Sequence, residues 1–374
     1  MAFLSDLVGI VRRAVAPSRT VGAPGTAVFG GFVQTREKNP DLGRKQKYVT
    51  YSDFLLEETI VGAATRYFIN LVSKAEWTVE PQEDNLGNPQ AEEIAEFVKD
   101  VLHDMRTPLH RVVRRTAMGR FYGFSIQEKT AKRREDGRIG LLDVEPRAQQ
   151  TIERWDVDEN GNVVGVVQRS PQTFDEIYIP ISKTVYFVDD SINDSPEGLG
   201  LFRHIAEAAR RLRRYKQLEG YGFELDLRGM PIARVPKKVL ADMVKRKELT
   251  KTQAEEIVAN FELFIKNHVQ NPERGLVLDS EPHRDNEGRP STVQQWGLEI
   301  VSGDAGPHEA IAEAIVRETR AIARVFGLEN ILLGETGAGS LAMARDKSKT
   351  IGLMIDGTLK EIREIYAEQI VRWL

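Results

Sequence analysis

The stretch AIARVFGLENILLGETGAGSLAMARDKSKTIGLMIDGTLKEIREIYAEQIVRWL (Ala321–Leu374) joins two long helical patterns through a short, apolar, glycine-rich loop. Upstream, Ile311, Ile315, Ile322 and Val325/Phe326 recur at the three-to-four spacing of one buried stripe, which predicts a helix from about His308 to Phe326 stopped by Gly327. After the loop GLENILLGETGAGS a second pattern starts near Ser340 and persists to the end. Gly352 and Gly357 interrupt it, each costing roughly 1 kcal/mol relative to alanine, so the expectation is a long, kinked helix. Two long helices hinged on a small loop read as a mechanical part rather than a catalytic centre.

Working outward, the 374 residues are 41% hydrophobic and 29% charged, enough to bury a sizeable core in two or three domains. The absence of cysteine excludes disulfides and thiolate metal sites and suits a reducing compartment. No apolar run reaches membrane-span length, so no membrane partner is expected. Phe3, Leu4, Leu7, Val8 and Val11 share a helical side followed by Arg12 and Arg13, but Asp6 and the missing cleavage-type ending disfavour a targeting peptide. That segment reads as an arm packing on a neighbouring subunit. Residues up to about Gln46 are rich in Gly, Pro and Arg without periodicity and read as extended.

The fold is expected to begin near Thr50. Leu56, Ile60, Ala63/Ala64, Tyr67 and Leu71 mark a helix, and EWTVEP a short strand ending at Pro81. Asn88-Pro89 supplies a cap and first position for a helix with Ile94, Phe97, Val98, Val101 and Met105 on one side, and Thr107-Pro108 repeats the signal. From Phe124 to Val188 the period becomes two, with hairpin turns at Asp136-Gly137 and Asn160-Gly161. The fold class is therefore α+β, with a mostly antiparallel domain. Beyond Ser195-Pro196, Arg203, Arg210, Arg211, Arg213, Arg214 and Lys216 accompany Ile205, Leu212 and Tyr215 on one strongly basic helix. A solvated charged face, pairing with acidic neighbours and contact with phosphate all remain open for it. Between Leu227 and Asp304, PIARV, RGLVLD and TVQQWGLEIV read as short strands around a helix opened by a Thr252-x-x-Glu255 capping box.

Chemistry-bearing signals are weak. Gly334–Ser340 has the glycines of a phosphate-binding loop without its lysine or its preceding strand. Asp189, Asp190, Asp194 and Glu197 could hold a divalent cation through hard oxygen ligands, and a metal-dependent DNA-processing enzyme is the competing functional class. The cluster lacks calcium-loop spacing, and Asp194 and Ser195 before Pro196 also read as helix-capping residues. The six histidines are scattered and form no nucleophile–base–acid set. No catalytic residue, metal or cofactor is expected.

The run IARVFGLENILLGETGAGSLAMA with the helix after it resembles the C-terminal part of tailed-bacteriophage portal proteins (head-to-tail connectors), particularly the Mu-like group. GLGLFRHIAEAARRLRRYKQLEGYGFELDLRGMPIARV (Gly198–Val235), with its turn at Gly229, Met230 and Pro231, is similar to that group's first stem helix and its exit into the clip. The stretch from Tyr122 to Gln168 and YIPISKTVYF are similar to its wing strands. The resemblance implies a portal fold: an N-terminal arm over 1–49, an α/β wing over 50–201, stem helix 1 over 202–226, a small α/β clip over 227–304, stem helix 2 over 305–327, a tunnel loop over 328–339 and a tunnel helix over 340–374. A following crown would be absent or truncated.

The same resemblance implies a ring of about twelve copies at the capsid vertex of a virion or gene-transfer particle, made in the bacterial host cytoplasm. Double-stranded DNA would pass through it, driven by the large terminase, with scaffold, major capsid protein and a head-completion or tail adaptor as further partners. Its tunnel-loop residues map to Glu329, Asn330, Ile331, Leu332, Leu333, Gly334, Glu335 and Thr336. Arg210, Arg211, Arg213, Arg214 and Lys216 map to intersubunit stem contacts, and Lys245, Arg246, Lys247 and Glu248 to terminase or adaptor docking on the clip. A net charge of −4 per chain, multiplied around such a ring, disfavours a static grip on the duplex. A ring-forming virion adaptor that touches no DNA is a further reading.

Overall fold

The computed structural model describes residues 25–34, 37–189, 194–228, 230–267, 282–284, 287–301, 306–329, 331 and 341–374. The chain is α+β and divides into two compact units, one formed by residues 1–210 and 318–374 and the other by residues 211–317.

In the first unit a hairpin, β1 (Val28–Phe29) and β2 (Phe32–Val33), precedes helices α1 (Gln46–Glu57), α2 (Thr59–Ser73), α3 (Pro89–His103), α4 (Leu109–Ala117) and α5 (Gly119–Tyr122). The region read as an extended arm is therefore structured from the hairpin onward. Leu42 and Tyr48 are buried, and the Trp155 amide donates to the Gly31 carbonyl at 2.9 Å, which fastens the hairpin to the domain.

One helix was expected where two stand, broken at Glu58, whose extended backbone begins a new turn. The buried stripe of α2 is Val61, Ala64, Phe68, Ile69 and Val72, one position beyond the expected one, and Leu56 is 82% exposed. EWTVEP pairs with no strand among the described residues; Trp77 instead lies against the Tyr366 ring at 5.7 Å. Asn88 caps α3 as expected, its side chain accepting from the Gln90 amide at 3.1 Å, with Pro89 first in the helix. Ile94 points outward, and Ala95 takes its expected place in the buried row. Pro108 is the residue before α4 rather than its first residue.

Strands β3 (Phe124–Arg133), β4 (Ile139–Arg147), β5 (Ile152–Val157), β6 (Val163–Arg169), β7 (Glu176–Pro180) and β8 (Thr184–Val188) form two antiparallel three-stranded sheets, ordered β4-β3-β8 and β5-β6-β7. Gly137 (φ +80°) and Gly161 (φ +83°) turn the β3–β4 and β5–β6 connections, the left-handed positions that Asp-Gly and Asn-Gly signal. The outer edge of β4 is closed by other groups. The Leu142 carbonyl accepts from the Arg106 amide, the Val144 carbonyl from Arg115, and the Val144 amide donates to Asp143.

Helix α6 (Leu201–Arg228) leaves this unit and continues into the second, where β9 (Met230–Arg234), α7 (Lys237–Lys245), α8 (Lys251–Asn267), β10 (Pro282–Arg284), β11 (Pro290–Gln294) and β12 (Gly297–Val301) follow. β9 pairs antiparallel with β12, and Phe261 stacks on Trp296 at 5.6 Å. RGLVLD lies outside the described residues. The capping box is Thr250–Gln253, not Thr252–Glu255. The Gln253 amide donates to Thr250 Oγ1 at 3.2 Å, and the Thr250 amide donates to Gln253 Oε1 at 2.9 Å. Helix α7 had no counterpart in the sequence reading.

Helix α9 (Gly306–Val325) crosses α6 at close range within the second unit: a Cβ on Gly222 would lie 2.5 Å from His308, whose ring stacks on Phe223 at 5.3 Å. Gly327 (φ +67°) ends α9, as the sequence indicates. The last helix, α10 (Leu341–Gln369), runs unbroken through Gly352 and Gly357. Its row Ile351, Ile355, Thr358, Ile362, Tyr366 and Ile370 is buried at three-to-four spacing, and that burial offsets the cost of the two glycines.

The core of the first unit is an aromatic cluster. Phe202 at the start of α6 lies 5.8 Å from Tyr51, 5.5 Å from Phe121 and 6.4 Å from Phe326, so four segments far apart in sequence meet there. The C-terminal end of α10 closes the β8 edge. Gln369 Oε1 accepts from the Tyr186 amide at 2.7 Å while Gln369 Nε2 donates to the Tyr186 carbonyl at 3.2 Å, so one side-chain amide pairs as a strand residue would.

Candidate functional site

The basic face of α6 divides in two. Its first arginines are engaged by the chain's own N-terminal region: Arg203 makes a paired contact with Glu37 at 2.6 and 3.1 Å, and Arg210 reaches Asp41 at 2.5 Å and Asn39 at 3.1 Å. Burial works to raise the Glu37 carboxyl, but the Asn39 amide and the Arg203 guanidinium outweigh it, and its pKa falls below the usual range. Arg210, expected to serve a neighbouring subunit, is thus already bound within its own chain. Arg211, Arg213, Arg214 and Lys216 are exposed. The buried side of the same helix is Phe202, Ile205, Ala206, Ala209 and Leu212, which fixes the direction in which the basic side chains project.

Of the loop residues, Glu329 and Ile331 are described; Asn330, Leu332, Leu333, Gly334, Glu335 and Thr336 lie outside the described residues. Glu329 is gripped by Arg324 at 2.6 and 3.0 Å, a bidentate pair across the end of α9. Leu328 is fully buried, and its amide donates to the Ala323 carbonyl at 2.9 Å. Ile331 is 42% exposed. The loop therefore springs from a fixed base of one buried leucine and one clamped glutamate.

Lys245, Arg246, Lys247 and Glu248 form an exposed corner between α7 and α8. The helix ends through Arg246 and Lys247 amides donating to the Asp242 and Val244 carbonyls, and Lys247 takes a left-handed φ of +61°. Lys245 reaches Asp242 at 3.2 Å, an exposed pair worth at most about 1 kcal/mol. All four side chains project into solvent on one tight turn, a geometry suited to docking.

The acidic cluster is not assembled. Asp189 is bound by Arg120, and the same guanidinium reaches Glu361 on α10 at 2.6 Å. Glu197 is taken by Lys47 at 2.5 Å and by Trp155 Nε1 at 3.3 Å. Asp190 lies outside the described residues, and Asp194 has a left-handed φ of +56°. With two of its carboxylates neutralised by cations on different elements, this set does not converge on an ion, and no grouping of three acidic or histidine side chains does so among the described residues. Arg120 was missed by sequence reading, because nothing in GRFYG signals that its partners come from about 70 and 240 residues away.

Residues 48–215 match the family model described as the portal protein of Mu bacteriophage. The fold is similar to a chain of the solved virion of a native gene transfer agent particle, with a TM-score of 0.52 and 12% identity over 98% of this chain and 86% of that one. A chain from the neck of an empty gene transfer agent particle, computed with C6 symmetry, gives a TM-score of 0.51 and 12% identity over 87% of this chain and 81% of that one. This is a tailed-phage portal-like chain. No curated protein matches its sequence. The family match covers the α+β unit and the basic half of α6, and the fold likeness extends along nearly the whole portal-like chain. Among the described residues no helix is long and apolar enough to cross a membrane.

Proposed function

We propose that this portal-like chain closes head-to-tail into a ring of about twelve copies at a capsid vertex and conducts double-stranded DNA during packaging and ejection. The observation that carries the reading is one of architecture. Two long helices, α6 and α9, bracket a small α/β unit and return to an antiparallel α+β unit through the loop that precedes α10, and the match to portal proteins and to virion and neck chains falls on that arrangement. The family matched is a structural one, and the role is mechanical rather than catalytic.

Each domain then has a part. The α+β unit is the wing, facing capsid protein and scaffold; α6 and α9 are the stem, with Arg211, Arg213, Arg214 and Lys216 meeting the next copy. The 227–304 segment is the clip, whose corner Lys245–Glu248 receives the large terminase and later a head-completion or tail adaptor. The 328–339 loop lines the narrowest point. Ile331, Leu332 and Leu333 offer phosphates nothing to grip, and a ring built from chains of net charge −4 does not hold the duplex by counterion release.

Replacing Leu332 and Leu333 with arginine tests the loop's part. Particles should assemble with normal portal content but stall in packaging or fail to retain DNA. Wild-type DNA content in that variant would take the loop out of the mechanism.

A further inference from the structure

The second unit carries an open apolar groove. Leu240 and Val244 of α7 face Ala254 and Val258 of α8 across a cavity of about 530 Å³, with Lys237, Lys251 and Glu255 on its rim. The floor is aliphatic and contributes no hydrogen-bonding side chain, so it suits an apolar plug rather than a polar ligand. On the same unit α6 leaves Tyr221 65% exposed. An aromatic side chain so placed is costly to leave in water and is well suited to bury in a pocket, its hydroxyl remaining at the wet rim.

Resting on the ring reading above, we propose that Tyr221 of one copy fills the α7–α8 groove of the next. A head-to-tail ring requires two different, complementary patches on each chain, and this unit presents one apolar recess and one apolar projection. Charge agrees with the pairing. Glu224, one turn beyond Tyr221 and exposed beside it, meets a rim that opens with Lys237 and Lys251, the first residues of α7 and α8. Gly220, beside Tyr221, has open space where a Cβ would stand, so the backbone there can approach a neighbouring helix closely. The groove is thus an intersubunit socket, distinct from the exposed Lys245–Glu248 corner, which stays free for other partners.

The natural absence of cysteine makes the test clean. Glu224→Cys is combined with Ala241→Cys or with Ala259→Cys, both on the groove, leaving Tyr221 in place. The assembled full-length protein is then oxidised, or treated with a short bis-maleimide, and run on denaturing gels. The proposal predicts a ladder of covalent multimers from the double variants and nothing beyond dimer from each single variant. It also predicts that Tyr221→Ser raises the concentration needed for half-assembly at least tenfold while leaving the circular dichroism spectrum unchanged. Rings that form normally yet give no ladder, with Tyr221→Ser assembling as wild type, would overturn the socket while leaving the ring intact. A ladder that appears only when a packaging partner is added would assign the groove to that partner instead. Failure of the unmodified chain to form any ring would remove both readings together.

Discussion

Gly198→Ala should unfold the α+β unit well below the wild-type temperature, and the structure sets the size of the effect. Gly198 sits at φ +57°, a left-handed conformation costing an alanine about 1–2 kcal/mol. Its new Cβ would lie 2.1 Å from the Gly123 carbonyl oxygen and 2.6 Å from that of Asp189. Both obstacles are backbone and cannot swing aside. Gly123 is itself held there by the Asp189 amide, which donates to its carbonyl at 2.8 Å, and Gly123 and Gly200 are equally crowded by backbone. Forcing these segments apart adds about 1–3 kcal/mol of overpacking strain, for a total of about 2–5 kcal/mol. In a unit of this size that corresponds to a fall in Tm of roughly 5–15 °C. The matched control is Gly357→Ala, where no heavy atom lies within 4 Å of the added Cβ and a helical position gains about 0.5–1 kcal/mol. Scanning calorimetry with urea unfolding reads both. A Gly198→Ala protein melting within 2 °C of wild type would refute the claim that this three-glycine crossing locks the start of α6 to the sheet.

Lys129 is buried, donates to the Gln369 carbonyl and lies 4.9 Å from the Trp373 ring; burial pushes its pKa down from 10.5 to about 8. Below pH 8 it is protonated both folded and unfolded, so the cost of its buried charge is fully present. Between pH 8 and 10.5 the unfolded chain binds more protons, and stability rises by at most about 3 kcal/mol. Urea unfolding at pH 7, 8.5 and 10 should therefore show wild type gaining on Lys129→Met, and a constant gap would contradict it. Thr250→Ala breaks the observed capping box and should cost about 1 kcal/mol, read as faster amide exchange in the first turn of α8; the same loss from Thr252→Ala instead would show the box misplaced. Arg214→Ala should weaken ring assembly more than Arg210→Ala, because Arg210 is occupied by Asp41 and Asn39 of its own chain; equal effects in a sedimentation titration would contradict that division of α6.

Local signals were legible and long-range ones were not. Asn88-Pro89, Gly137, Gly161 and Gly327 each act within a few residues of themselves, and each stands where its chemistry predicts. The helix face around Leu56 was misread because two short helices meet at Glu58, and the buried side of α2 is chosen by Phe121 against Phe68, a partner more than 50 residues away. EWTVEP has strand composition but is anchored by Trp77 on Tyr366, nearly 300 residues later, with no ladder to join. The basic helix was recognised from composition alone. That Glu37 and Asp41 consume two of its arginines depends on an N-terminal region whose sequence has no periodicity to place it. The missed helix α7 was obscured by its density of lysines, which hid the spacing of Leu240 and Val244 that now lines the groove.

The account's central claim is the ring, and the mass and symmetry of the purified protein test it most directly. Light scattering followed by class averages of single particles should give about 500 kDa, near twelve times the 42.2 kDa chain, with an open channel wide enough for a duplex. A monomer or dimer that persists at micromolar concentration, even with scaffold and a crowding agent present, would contradict it.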